Sequence, residues 1–551
     1  MANQSTHRAD AEMKESWLPM ITIALAQILM SFNVASLPVA LGGMVKSFNV
    51  PPTTIATAIV MYSLSVAGFV MLGAKLNQRF GPLVVFRSTV MLFGIAQVMM
   101  TFSPNATIMI SAQALSGLAG AALVPALVAL IAENYRGTQQ ATALGALGSA
   151  RAGAGVAAFL IGGVLGTYIG WRPAFGILIV LSVVIFVLSF RLKSDNARPE
   201  VGIDLFGVVL AALAIILLSF GFNNLNRWGF GLARDGAPFD LLGFSPAPFM
   251  IVLGIVLGQA FVVWTRRRQE QGKTPLLALE VITSPTEKAA VFAMFAVVAL
   301  EAMLNFSVPL YIQIVQGSTP MATAIAMMPF NLSVFFSALL IVRFYNKLTP
   351  RKIGRYGFIT CTIALVWLAF VVRNNWSEFA VLIGLVIFGL AQGALVTLLF
   401  NVLVSASPKE LAGDVGSLRG TTNNLANAIG TAVAGALLVG LLSANVMRGV
   451  AEAPILTPEI QAQVNMDSIN FVSNDRLQGI LAQTTATPEQ VAEAVRVNEE
   501  ARLRALKFGL LIMALLSLLA IFPAGRLPDY LPGELPADNL NKKAHNPVES
   551  E

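Results

Sequence analysis

Apolar runs of about 18 residues or more, each closed by a short polar or turn-forming stretch, recur along the chain at a spacing that suits membrane-spanning helices. Fourteen are legible, at 17–41, 53–76, 82–102, 107–133, 141–166, 172–190, 204–222, 247–265, 289–313, 321–344, 352–372, 378–404, 416–443 and 505–525. The pattern predicts an all-α integral membrane protein with two sets of six spans and two more between them. Residues 1–16 form a polar tail, 17–190 the first six spans, and 191–285 a linker carrying two extra spans. Residues 286–525 hold the last six spans, with a polar loop at 444–503, and 526–551 a second tail rich in Pro and charge. Within the loop, Thr487-Pro488-Glu489-Gln490 has the form of a capping box with proline at the first helical position. It predicts a helix running into the last span, acting as a structural cap or as a lid.

Composition agrees with this reading: 56% of the 551 residues are hydrophobic and 12% charged, against roughly 25% charged in soluble domains. The net charge of +7 does not point to nucleic acid, because Lys and Arg are dispersed among short loops. Sixteen of them, from Lys75 to Arg355 and including Arg136, Lys193 and Arg343, fall on the side of the termini. The opposite short loops hold five: Lys46, Arg172, Arg227, Arg234 and Arg373. The positive-inside rule therefore places both termini in the cytoplasm of a multi-pass cell-membrane protein. The N-terminal MANQSTHRADAEMKES lacks the apolar core of a signal peptide. The one cysteine, Cys361, lies within an apolar run, and the two histidines, His7 and His545, lie in the tails. That leaves no material for a disulfide framework, a metal site or a catalytic metal, and no cofactor is implied.

One carboxylate interrupts this scheme. Glu301 stands in the middle of the ninth run, ~18 Å along a helix from its start at 1.5 Å per residue. A charge at that depth costs at least ~2.5 kcal/mol, so Glu301 must face a partner or water. Burial disfavours its ionised form, and alternating access to water on two sides would let it carry a proton across. The other reading is a neutral acid hydrogen-bonded to a neighbouring helix. Arg151, in the fifth span, is either its counter-charge or a side chain reaching back to the membrane surface. Asn305 lies one turn from Glu301 on the same helical face. With Asn33, Asn423, Asn427, Asn331, Asn424 and Gln392, it lines a polar cavity or bonds helix to helix.

A repeat underlies the two sets of spans. Leu147-Gly148-Ser149-Ala150-Arg151 is echoed by Val415-Gly416-Ser417-Leu418-Arg419, and each arginine is followed eleven residues later by a glycine, Gly162 and Gly430. Gly163 follows the first, and such small residues let helices pack closely. Duplicated halves around a mid-membrane site are a common plan of secondary transporters.

The chain resembles the major facilitator superfamily, and within it the fourteen-helix drug:proton antiporters. Lys75-Leu76-Asn77-Gln78-Arg79-Phe80-Gly81 looks like the family's cytoplasmic gate signature G-x-L-x-D-R-x-G, and Ser36-Leu37-Pro38, Gly117 to Pro125, Gly162-Gly163 and Trp171-Arg172 extend the match. In this motif Lys75 and Arg79 are expected to face cytosol and headgroups, and Gly81 to allow a tight turn. There are departures. Gln78 stands at the signature's acidic position, which reduces the gate's charge interaction to a hydrogen bond. Gln113 replaces the fourth-helix arginine associated with proton transfer, Ala158-Phe159 replaces Gly-Pro, and Leu29 replaces the first-helix acid. The resemblance implies a monomeric secondary transporter in a lipid bilayer, exchanging protons for small amphipathic or cationic compounds. Two alternatives stay open: a uniporter or importer of a specific metabolite, an anion if Arg151 attracts it, and a transport-inactive sensor or scaffold. No Walker motif or nucleophile–base–acid set accompanies the spans, so an enzyme is not expected.

Overall fold

The computed structural model describes residues 16–135, 137–192, 197–234, 236–282, 284–341, 347–373, 376, 378–405, 412–451, 474–481, 483 and 486–529. Arg136, Lys193, Arg343, both histidines, the middle of the loop and most of both tails lie outside these residues. Helices dominate: α1 Leu18–Phe48, α2 Pro52–Phe80, α3 Pro82–Thr101, α4 Ala106–Asn134, α5 Gly137–Tyr168, α6 Arg172–Ser189, α7 Leu205–Trp228, α8 Pro246–Glu270 and α9 Pro285–Leu310. They continue with α10 Pro320–Leu340, α11 Pro350–Val371, α12 Phe379–Ser405, α13 Ala412–Ala451, the short α14 Asn474–Leu481 and α15 Pro488–Ala524. Among the described residues fourteen helices are long and apolar enough to cross a bilayer.

Seven of these helices begin on a proline, where the missing N–H would have had no helical partner in any case. Side-chain caps sharpen several starts, at Asn105, Asp204, Ser245, Ser284, Thr319 and Thr487. The capping box read at Thr487 forms, with Gln490 closing it. Helix α13 continues to Ala451, and α15 runs unbroken from Pro488 through the last span, as the helix read within the loop predicts. Arg496 pairs with Glu493 at 2.7 Å and Glu500 at 2.6 Å along its polar first half, where i,i+3 and i,i+4 spacing brings them together.

Two six-helix lobes result, α1 to α6 and α9 to α13 with α15. In the first lobe α2 and α3 pack on α4, and α1 on α5. In the second α10 and α11 pack on α12, and α13 on α9. The repeat extends into this packing. A Cβ on Gly117 of α4 would meet the Tyr62 carbonyl and Ser65 of α2. One on Gly389 of α12 would meet the Phe330 carbonyl and Ser333 of α10. Tyr62 and Phe330, and Ser65 and Ser333, are 268 residues apart, the same offset as Arg151 and Arg419.

The lobes meet chiefly along α2 with α13 and α5 with α10, with smaller contacts of α1 on α9 and α10 and of α4 on α13. The inserted α7–α8 hairpin is tightly joined, with Gly221 against Ile251 and Gly254 against Leu218. Its α7 lies along α2 and α13, where Ile215 joins Leu64 and Ala67, and Phe222 packs against Val60 and Ala428. Helix α8 turns Phe249, Val252, Ile255 and Val263 outward. That apolar surface suits lipid tails rather than water.

Candidate functional site

Glu301 sits half-buried in the middle of α9 and looks toward α12. The Gln392 amide of α12 donates to the Val297 carbonyl at 2.7 Å and reaches Glu301 Oε2 at 3.5 Å. One turn on, Asn305 Oδ1 is buried without a hydrogen-bond partner, as is Gln392 Oε1. Buried polar atoms are nearly always paired, so two orphan acceptors beside one carboxylate mark a spot with room for a donor. A protonated acid, a water or a cationic N–H would each fill that role.

Arg151 is not brought to Glu301. Its helix α5 packs on α1 and α10, not on α9, so the expected pair does not form in this conformation. Instead Arg151 is exposed and lies within electrostatic reach of Tyr62 and of Arg419 on α13.

The other amides divide by role. Asn33 of α1 and Gln113 of α4, both fully buried, exchange hydrogen bonds of 2.9 and 3.2 Å. A neutral amide pair thus occupies the region where the resemblance led one to expect an acid and an arginine. Asn427 of α13 donates to Ser63 Oγ of α2 at 2.7 Å, joining the lobes. Asn331 and Asn424 donate to their own helices, while Asn423 Oδ1 is buried and unsatisfied.

Each seam has its own fastening. Between α2 and α13, Lys75 Nζ stands 3.7 Å from Asp414 in the first turn of α13, with side chains 7% and 13% exposed. Lys75 therefore does not face headgroups as expected, and the interlobe charge contact does not vanish with Gln78. It moves one turn along α2 and reverses sign, the cation now on α2 and the acid on α13. The Gln78 carbonyl accepts from the Arg198 backbone N–H at 2.9 Å, and Arg79 lies over the Phe80 ring. Gly81, with φ +86, joins α2 to α3 in a backbone conformation that side chains disfavour.

At the other end of the molecule α9 stops at Leu310 and closes with a π turn over Tyr311–Val315, beyond Pro309, which offers no backbone donor. That turn aims Gln313 at α1, where it donates to the Pro38 carbonyl at 3.1 Å and accepts from Gly42 N–H at 2.7 Å. On the same face Thr167 Oγ1 of α5 accepts from Met321 N–H of α10, and Gly163 lies against Ala324. Asp414 and Gln313 escaped the sequence reading, because a contact between helices far apart in the chain leaves no local pattern. Interhelical amide bonds contribute ~0.6 kcal/mol each. Gln313→Leu, which removes both bonds, should thus shift the closed population of this face by about eightfold, read as spin-label distances between positions 46 and 318.

A sequence profile of the Major Facilitator Superfamily matches residues 23–431. The chain belongs to the Major Facilitator Superfamily. Among the relatives of this facilitator are the multidrug efflux pump LfrA of Mycolicibacterium smegmatis, 22% identical with 81% of this chain and 84% of that protein aligned. The multidrug resistance protein Stp of Mycobacterium tuberculosis is 23% identical over 92% of this chain and 91% of its own. Solved structures with the same fold include an auto-inhibited POT family peptide transporter (TM-score 0.58, 12% identity, 96% and 98% coverage). A bacterial homologue of the lysosomal transporter Spinster, in an inward-facing unoccupied conformation, reaches the same TM-score at 14% identity, with 92% and 96% coverage. Membership makes the protein a membrane transporter rather than an enzyme.

The facilitator's glycines differ in what they hold. A Cβ on Gly430 of α13 would stand 2.6 Å from the Ala299 carbonyl and 2.9 Å from its Cα, beside Glu301. On Gly162 it would meet only the Val39 side chain, at 3.4 Å from Cγ1. Gly430→Ala should cost ~1–3 kcal/mol through strain, since backbone must move. Gly162→Ala should stay within ~1 kcal/mol of wild type. Thermal unfolding of the two purified variants compares them directly.

Proposed function

We propose that this transporter exports small amphipathic, commonly cationic compounds in exchange for protons, with Glu301 as the proton carrier. The observation that carries the reading is the half-buried carboxylate in the middle of α9, faced by Gln392 and flanked by the orphan acceptor of Asn305. A cationic substrate and a proton compete for such a group, and that competition is the simplest form of obligatory exchange. The multidrug efflux and resistance names of LfrA and Stp support the substrate class and the outward direction.

In this reading residues 17–190 and 286–525 rock as units about the substrate, carrying the inserted segment 191–285 with them. The excess of Lys and Arg in the loops on the side of the termini supports a cytoplasmic location for that face. The Lys75–Asp414 contact is then a cytoplasmic latch, and Gln313 with Gly163 and Thr167 closes the outer face. The protein works as a monomer in the cell membrane, since each lobe pair encloses its own path.

The test is ethidium flux in inside-out proteoliposomes with an acidified lumen. Accumulation of tenfold or more, abolished by a protonophore, is expected. Equilibration without accumulation would move the assignment to a facilitator, and no flux at all to a transport-inactive protein.

A further inference from the structure

Residues 229–245 join α7 to α8 at the face opposite the termini, and they fold back on themselves as a short antiparallel hairpin. Ala233 N–H donates to the Gly243 carbonyl and Ser245 N–H to that of Gly231, while Leu241 and Phe244 exchange both backbone bonds at 3.0 Å. The two residues between them, Leu242 at φ +56 and Gly243 at φ +84, are left-handed, and Asp240 fastens the turn by accepting from Gly243 N–H at 2.9 Å. In water, Asn-Gly is the pair that suits such a two-residue turn. Here leucine takes the first position, where a bulky side chain is strained.

That leucine is also 98% exposed, and with it Phe230 at 81%, Leu232 at 71%, Phe239, Leu241 and Phe244 turn away from the protein. A patch of that kind marks a surface that meets something apolar. Its place in the chain says what. Phe230 comes two residues after α7 ends and Leu242 four before α8 begins, so neither lies more than ~15 Å from the end of a span. Past Ser245 the exposed apolar run continues in Phe249 and Val252 of α8, the surface that suits lipid tails. Because the spans alternate in direction, Phe102 after α3, Tyr168 at the end of α5 and Phe379 at the start of α12 lie at this same face. All three are exposed, as aromatic side chains commonly are where a bilayer meets water.

We infer that the 229–245 hairpin is a membrane anchor, with Phe230, Leu232 and Leu242 seated among the lipids of the leaflet at the face opposite the termini. There the leucine at the tip gains the apolar contacts that offset its strained backbone. Arg234, exposed on the same hairpin, has the reach to keep its charge among the headgroups, and Asp240 keeps its carboxylate on the turn's own N–H. Seating the tip fixes the depth of α7, which lies along both α2 and α13 and so flanks the seam between the lobes. The anchor is independent of what the protein carries and of any proton it exchanges.

The experiment places a bimane label at Leu242→Cys or Leu232→Cys of the full-length protein in phosphatidylcholine nanodiscs. Cys361 is fully buried and stays in place, with the unsubstituted protein as the labelling blank. A phosphatidylcholine carrying a nitroxide high on its acyl chain should quench either label by about half or more. Aqueous iodide should quench it at least about threefold less than a label at Glu489→Cys, an exposed position in the polar first turn of α15. Iodide quenching as strong as at Glu489→Cys, with none from the lipid, overturns the anchor. Shielding from both quenchers overturns it too, and assigns the patch to a second copy of the chain or to another protein. Should Leu242→Cys fail to fold, Leu232→Cys carries the test, since its backbone is not left-handed.

Discussion

Glu301→Gln is expected to bind ethidium but release no proton on binding, and to lose uphill transport by a factor of 100 or more while still equilibrating substrate across the membrane. Gln keeps the size of the side chain and its hydrogen bond with Gln392 on α12, so the helix pair should stay intact. What it removes is the ionisable group, the only carboxyl in the middle of the described spans. The neutral Asn33–Gln113 pair cannot substitute, because amides do not titrate in water's range. Proton release from detergent-purified protein on adding ethidium, wild type beside variant, reads the first part. Ethidium flux with and without a pH gradient reads the second. Release that persists in the variant would leave Glu301 as a structural acid.

The second large effect concerns Lys75 and Asp414. Both side chains are nearly buried, and Asp414 also accepts from Ala278 N–H, so removing the lysine leaves a carboxylate short of its cation. Breaking such a pair costs ~3 kcal/mol or more, equivalent to about two decades in the population of the state that contains it. Lys75→Gln should therefore open the α2–α13 seam at the face of the termini, measured as spin-label distances across it. Exchanging the charges, Lys75→Asp with Asp414→Lys, should recover most of the closed population. Failure of the exchange to recover it would assign the effect of Lys75→Gln to packing on α2 rather than to the ion pair.

The spans were legible because each is a long apolar run ended by proline or a capping residue, and these signals are local. Pro285 after Ser284 and Pro488 after Thr487 mark their helices in the sequence as clearly as in the structure. Glu301 was legible for a related reason, a charge being conspicuous in a run that otherwise has none. Its partner was not. Which face α5 turns toward its neighbours depends on its packing against α1 and α10, and this packing leaves Arg151 away from Glu301. Lys75 was misplaced in the same way. A lysine one turn from the end of a span reads as a headgroup anchor until α13 is seen to bring Asp414 beside it.

The buried Asn33–Gln113 pair has a consequence for energetics. With no titratable group in that pair, an exchange run by Glu301 alone would carry a single proton per turnover. Exchange of one proton for one monovalent cation is electroneutral, and only the pH difference drives it, at about 1.4 kcal/mol and a tenfold accumulation ratio per pH unit. A monovalent organic anion leaving as one proton enters would move two charges, and the membrane potential would add ~4.6 kcal/mol at 100 mV. Imposing a potassium diffusion potential with valinomycin at constant pH thus reports the charge of the cargo: cation flux is indifferent to the voltage, and anion flux follows it.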